Sequence, residues 1–386
     1  MENNFEMTAK TLFGFEDLLA EELKKLGAQK IQIGVRNVSF WGDKGFMYKA
    51  NIACRTALKI MVPIHRVYAK NEDELYTAAL AFDWSQHISL NKSFAINATV
   101  HSDYFKHTQY VALKIKDAIV DQFRKHTGRR PNVNTEHPDL ALEVHINADQ
   151  VTFSLDSSGK SLHHRGYRSA TNIAPINEVL AAGMLLHSGW KGQSDFLDPM
   201  CGSGTIPIEA AMIAANIPAN SNRSEFAFEK WDDFDVDLFE TIFDALMDKV
   251  TDFPYKISGF DKAPSAIAKA RENAKNARLE DFITWEQVDF FTAEKPVSGT
   301  LHMVFNPPYG ERLQADIPEL YKNIGDTLKQ YYADTHAWLI TTDPDGMKNM
   351  GLRPSRKIKI FNGGLEGRFL YYPMYAGSKK EKFNNN

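Results

Sequence analysis

Cysteine is nearly absent from this 386-residue chain, with only Cys54 and Cys201 present. Two thiols cannot build a disulfide framework, so the expected setting is a reducing cytoplasm. They are also too few for a structural zinc site, and no metal is expected. No apolar run is long enough to cross a bilayer, so no membrane partner is expected. Met1 leads into polar Glu2-Asn3-Asn4, where no signal peptide is expected. Internal repeats are missing too, which excludes a solenoid.

What is present is enough apolar sequence, 43% of the chain, for two or three domains with real cores. The net charge of −4 hides an asymmetry. Residues 1–168 carry 22 Lys+Arg against 19 Asp+Glu, and the remainder carries 23 against 30, giving +3 and −7. Ten acids cluster in 225–252 with only Lys230 and Lys249 among them. Residues 104–130 hold seven cations against Asp117 and Asp121. Such a stretch is either a solvated helix face or a surface that follows phosphates.

Hydrophobic periodicity divides the chain in two. The first part reads as strand 5–11, helix 15–27, strands 29–36 and 38–41, helix 44–57 and strand 59–68. That βαββαβ order is the ferredoxin-like split pattern. A helix at 72–81, a strand at 93–101, a helix at 107–127 and strands 141–147 and 150–156 follow. From about 174 helices alternate with short apolar strands at 194–200, 256–260, 283–288, 301–305 and 336–342. Closing strands are expected at 356–361 and 368–374. The expected fold class is α/β, a doubly wound Rossmann-like parallel sheet preceded by α+β units. The boundaries expected are 1–69, 70–160 and 161–376, with a disordered tail at 377–386.

Chemistry concentrates at the strand ends of the second half. "DPMCGSGTIPIEAA" places Gly202 and Gly204 between a strand and a helix, where backbone N–H groups face a ligand. Its spacing is not G-x-G-x-x-G, and no Gly-Lys-Ser/Thr makes it a P-loop. Asp198 closes the first strand. Asp261 closes the next, where a carboxylate can take both ribose hydroxyls of an adenosine-type ligand. Asp289 closes another, placed to accept from an adenine amine, with Phe290 beside it to flank the ring. Each acid alone would serve as a helix cap. A fourth strand ends in "NPPYGERL", residues 306–313. Two prolines forbid helix or central strand there and fix a loop. Three carboxylates in succession and an amide-proline loop, all at one sheet edge, form a constellation.

These residues resemble the class I S-adenosylmethionine-dependent methyltransferases that modify exocyclic amines. Nearly the whole chain resembles the bacterial THUMP-domain RNA methyltransferases, whose larger relatives make N2-methylguanosine in 23S ribosomal RNA. The supporting stretches are "SLHHRGYR", "APINEVLAAGML", "DPMCGSGTIPIEAA", "FAFEKW", "NPPYGERL" and "FNGGLEGRFLYYPM". The resemblance implies S-adenosyl-L-methionine as cofactor. It puts Pro175 and Glu178 beside the methionine part and Asp198, Cys201, Gly202, Gly204 and Thr205 in the cofactor loop. Asp261 takes the ribose, Asp289 the adenine, and Asn306, Pro307 and Tyr309 the target amine. It makes the units at 1–69 and 70–160 a ferredoxin-like domain and a THUMP RNA-binding domain. His164 stands where a basic residue is usual, and "APINEV" is a loose form of its motif.

An exocyclic amine is a poor nucleophile because its lone pair is delocalised into the ring. The Asn306 amide oxygen and the Pro307 carbonyl are expected to accept its two hydrogens and turn the lone pair out of plane. Tyr309 offers a face for the extruded base. Adenine N6, cytosine N4 and guanine N2 all suit this chemistry. Only 77 residues follow Tyr309, and they complete the sheet. With the spare mass at the N-terminus, RNA is expected over DNA. The expected RNA contacts are Lys106, Lys114, Lys116, Arg124, Lys125, Arg129, Arg130, Arg165 and Arg168. Guanine N2 of 23S ribosomal RNA follows from the resemblance. A transfer-RNA guanosine, a DNA or RNA adenine, and a non-catalytic RNA-binding assembly factor stay as alternatives.

Overall fold

The computed structural model describes residues 4–169, 175–308 and 317–375. The first sheet begins with β1 (Phe5–Thr11), α1 (Glu16–Leu26), β2 (Gln29–Ile33), β3 (Asn37–Gly42), α2 (Lys44–Ala53) and β4 (Ala57–Tyr68). It continues through α3 (Glu72–Ala81), β5 (Ser93–His101), α4 (Thr108–Thr127), β6 (Asn132–Val133), β7 (Leu140–Asn147) and β8 (Gln150–Asp156). Strands run in the order β2-β3-β1-β4-β8-β7-β5-β6. The first four have ferredoxin-like order, and β4 pairs with β1 on one side and β8 on the other. The two N-terminal units therefore share one continuous sheet instead of standing apart. Long β4, twelve residues with a register shift at Pro63, carries the junction.

The second sheet is made by β9 (Asp195–Asp198), β10 (Ile257–Asp261), β11 (Ile283–Gln287), β12 (Leu301–Phe305), β13 (Thr335–Thr341), β14 (Arg356–Asn362) and β15 (Leu365–Met374). Its order is β11-β10-β9-β12-β13-β15-β14. Five neighbouring strands pair in parallel, and β15 runs antiparallel to both β13 and β14, so that six of the seven strands point the same way. The expectation of a parallel sheet is corrected at this edge. The tight turn at Asn362–Leu365 leaves no room for a crossover helix, and a hairpin must be antiparallel. Helices α5 (Glu178–Ser188), α6 (Thr205–Ala214), α7 (Val236–Met247), α8 (Pro264–Asn276), α9 (Ile317–Tyr331) and α10 (Pro344–Asn349) complete the chain.

The acidic segment does not stay with the second sheet. Phe226, Phe228 and Leu246 are buried in the same core as Met7, Leu23, Phe40 and Tyr48. Its α7 packs on α2 through Leu238, Phe239 and Ile242, which lie against that core. Lys44 pairs with Asp233 at 2.7 Å, Lys92 pairs with Asp232, and the Asp235 N–H donates to the Tyr48 hydroxyl at 3.1 Å. In the opposite direction Phe15, at the start of α1, is wholly buried in the core of the second sheet. A Cβ on Gly183 of α5 would lie 2.1 Å from the Phe15 ring, so only glycine admits it. Exchanges of this size, roughly 2–3 kcal/mol for a buried phenylalanine, hold the two sheets together.

Candidate active site

Four neighbouring strands, β11, β10, β9 and β12, deliver their carboxyl ends to one cavity of about 580 Å3. Its wall contains Asp198, Asp261, Asp289, Asn306 and Pro307, one strand end after another. Pro175, Cys201, Gly202, Thr205 and Phe290 also line it. Open α/β sheets bind ligands at this edge, where strand order reverses.

The three carboxylates are held by the same local device. Asp198 Oδ1 accepts from the Met200 N–H at 3.1 Å, Asp261 Oδ1 from Ala263 at 2.9 Å, and Asp289 Oδ1 from Phe291 at 3.0 Å. Each is a side chain closing a turn on its own backbone two residues on. Asp261 Oδ2 also accepts from the Gly202 N–H at 3.0 Å, tying the ends of β9 and β10 together. Asp198 is 1% exposed. Burial pushes its carboxyl well above the ordinary range, the Met200 N–H partly offsets this, and nearby Asp261 adds to it. A hydroxyl or cationic donor at Asp198 would therefore hold the charged form.

Gly202 and Gly204 both sit in the left-handed region, at φ 55° and 84°. A Cβ at Gly204 would lie 2.7 Å from the Trp285 ring. Gly204 thus supports the loop from behind and caps α6, and it is absent from the cavity wall. Cys201 is buried, which pushes its thiol well above its usual range, with Asp198 and Asp261 adding to the effect.

Asn306 follows β12, and its Oδ1 is buried with no hydrogen-bond partner among the described residues. A stranded amide oxygen costs roughly 1–3 kcal/mol. Such an atom in a cavity wall has the capacity to accept a hydrogen from a ligand donor. Pro307 is buried beside it. Tyr309 lies outside the described residues. Residues the sequence did not single out also reach the cavity: Ile176, Met200 and Lys262, and Glu319, Leu320 and Asn323 from α9. The α9 contributions share one helix face, a pattern that also suits an ordinary amphipathic helix.

Three expectations are corrected. Glu178 is not in the cavity wall; it is buried and pairs with Arg168 Nε at 2.8 Å. Arg168 is therefore a support and not a free RNA contact: its Nη2 also donates to the Ile176 carbonyl and the Thr205 hydroxyl, both at 3.0 Å. Arg165 is 1% exposed. It pairs with Glu209 at 3.4 Å and donates to the carbonyls of Leu162 and Arg55 and the Asn220 side chain. Arg165 thereby joins the N-terminal unit to α6, the helix that carries the glycine loop. Sequence spacing offered no sign of a buried pair 44 positions apart.

On α4 the cations stand as expected on the surface, with acids among them. Lys114 pairs with Asp73, Lys116 with Asp117 and Arg124 with Asp121. Lys125, Arg129 and Arg130 are exposed, and Lys106 precedes the helix.

Residues 165–370 match the family described as RMKL-like, methyltransferase domain. Residues 69–156 match the THUMP domain, and 6–61 the RlmL ferredoxin-like domain. The ribosomal RNA large subunit methyltransferase K/L of Shewanella frigidimarina is 36% identical over 383 residues, covering 97% of this chain and 54% of that protein. The chain thus spans about half the length of the K/L relatives. A putative RNA methyltransferase of Synechocystis sp. is 34% identical over 365 residues, covering 94% of this chain and 95% of that one. The crystal structure of a putative methyltransferase complexed with SAH matches with a TM-score of 0.86 at 29% identity, covering 98% of this chain and 100% of that one. With the sheet order, the ring of strand-end carboxylates and a domain match over more than half its length, the chain belongs to the RMKL-like methyltransferase family.

Proposed function

We propose that this chain uses S-adenosylmethionine to methylate an exocyclic amine of a base in RNA, namely guanine N2 in large-subunit ribosomal RNA. The observation that carries the amine chemistry is the buried Asn306 Oδ1, unpartnered among the described residues, in the wall of the carboxylate cavity. Asp261 suits the ribose hydroxyls, Asp289 with Phe290 the adenine, and the Gly202 loop and Pro175 the remainder of the cofactor. When bound, the cofactor supplies an electrophilic methyl group. The chain's own part is to hold the amine: Asn306 Oδ1 and the Pro307 carbonyl accept its hydrogens, and the rigid prolines keep those acceptors aimed.

RNA as partner is supported by the THUMP match and by the names of the K/L and Synechocystis relatives. The K/L name specifies ribosomal RNA of the large subunit. Guanine N2 rests on the family resemblance, since the amine-holding geometry serves adenine N6 equally. A cytoplasmic location accords with that substrate, and no helix among the described residues is long and apolar enough to cross a membrane.

The test is methyl transfer to deproteinised RNA from a strain lacking the gene, with the modified nucleoside identified by mass spectrometry. N2-methylguanosine in 23S ribosomal RNA is expected. N6-methyladenosine would replace the target and keep the amine chemistry, and absence of methylated nucleoside in any RNA would end the reading.

A further inference from the structure

A second cavity, of about 650 Å3, lies between the N-terminal sheet and the methyltransferase domain. One wall is the β5–β7 face, including Asn97 and Ala141. The linker 158–168 and the start of the acidic segment, Arg223 to Lys230, make the others. We propose that this cleft receives single-stranded nucleotides flanking the target base, with Lys160 meeting a phosphate and His164 stacking on a base. The proposal rests on the reading of the chain as an RNA methyltransferase and deepens it.

The charges of the cleft separate into spent and unspent ones. Lys59 is neutralised by Asp156 at 2.5 Å and Glu143 at 3.4 Å, Arg165 by Glu209, Arg168 by Glu178, and Lys230 by Glu225 at 3.4 Å. Lys160 and Arg223 have no carboxylate within ion-pair distance among the described residues. Lys160 is exposed. Arg223 donates to the carbonyls of Ser158, Lys160, Ser161 and His164, so its charge is fixed in the linker wall. Two unneutralised cations on one side of a cleft suit a phosphodiester, with exposed Glu136 on the opposite loop as the opposing charge.

Beside them the rings of His163 and His164 lie 3.9 Å apart, tilted by 37°. Burial and neighbouring cations hold both imidazoles below their usual range, His163 at about 4. At neutral pH the pair is thus an uncharged aromatic surface, and exposed His164 presents it to the cleft. Cations interleaved with an aromatic platform are how proteins hold single strands. A space of this size suits a drug-sized ligand, roughly one or two nucleotides, not a duplex.

Position links the cleft to the chemistry. Arg168 and Glu178 line it, while the same Arg168 bonds the Ile176 carbonyl and the Thr205 hydroxyl. Ile176 and Thr205 belong to the cofactor cavity wall. The Arg168 guanidinium thus borders the cleft and bonds two residues of the cofactor cavity wall, which ties a strand in the cleft to the methyl-transfer site.

The proposal is tested by fluorescence anisotropy with a labelled short single-stranded oligoribonucleotide, on the whole chain across a salt series. His164→Ala should weaken binding about 5- to 100-fold, the range for one lost base stack. His164→Phe should restore most of it, because the ring and not the nitrogen matters. Lys160→Glu should flatten the dependence of log affinity on log salt by about 0.7 or more. Calorimetric affinity for S-adenosylmethionine and the unfolding midpoint should stay at wild-type values, which separates a lost contact from a lost fold. Wild-type RNA affinity and salt slope in both His164→Ala and Lys160→Glu, in a protein that methylates RNA, would overturn the cleft alone. Equal loss of affinity in His164→Ala and His164→Phe would overturn the stacking role. Methyl transfer by the wild type to DNA and to no RNA would remove the earlier reading and this one with it.

Discussion

The strand-end site and the basic face of α4 use polar groups in opposite ways. At the site, each of the three strand-end aspartates is fixed by a backbone N–H, and the arginines behind it, Arg165 buried and Arg168 partly so, are held in ion pairs. On α4 the cations are exposed or partly exposed, and three have an acid beside them. A fixed acceptor can discriminate one geometry of bound ligand, because little is left to reorganise. A mobile cation among acids adds only a screened, long-range attraction. The difference teaches where selectivity and where mere adhesion should reside.

The largest way to break this contrast is to remove the support behind the site. Arg165→Ala leaves Glu209 buried without its guanidinium, and about 3–5 kcal/mol of stability should go. Denaturant unfolding measures it; a loss below 1 kcal/mol would place Arg165 with the surface cations after all. Next comes the amine acceptor. In Asn306→Ala methyl transfer should fall roughly 100-fold or more in single-turnover assays, with cofactor affinity nearly unchanged. Asn306→Asp keeps an acceptor and should retain appreciable activity if acceptance is the whole role. Full activity in Asn306→Ala would dissolve the proposed mechanism.

Asp261→Ala should cost about 1.5–3 kcal/mol of cofactor binding, through loss of a charge-assisted acceptor pair. Calorimetry reads this directly, and unchanged affinity would take Asp261 out of the site. The smallest effect should come from α4. Lys125→Glu with Arg129→Glu should weaken RNA binding several-fold and reduce its salt slope by roughly 1–2, with methyl transfer to saturating RNA unchanged. RNA binding without any salt dependence would make that helix an ordinary solvated face.

The same contrast explains what could be read in advance. The turn at each strand end needs only residues two apart, so Asp198, Asp261 and Asp289 were legible as a set. The ferredoxin-like order and the helix at 72–81 were legible for the same reason, since periodicity and caps are local. Pro307 and Pro308 marked the loop after β12 without any tertiary information. The pairing of Glu178 with Arg168 was not legible, because neither residue's sequence neighbours reveal the other as partner. The small helix α10 and the two-residue β6 were missed, being too short to show a period.

What the sequence determined by itself is therefore the alternation of strands and helices, the glycine loop and the acids and amide that must end the strands. Those features follow from steric limits and hydrogen bonds within a few residues. Only the tertiary structure decided that the acidic segment leaves its own domain to cover α2. It alone placed Phe15 against Gly183, and it alone set Arg165 in a buried pair instead of on RNA. Those outcomes depend on which distant surfaces exclude water together, and burial across 44 or 168 positions leaves no period in the chain.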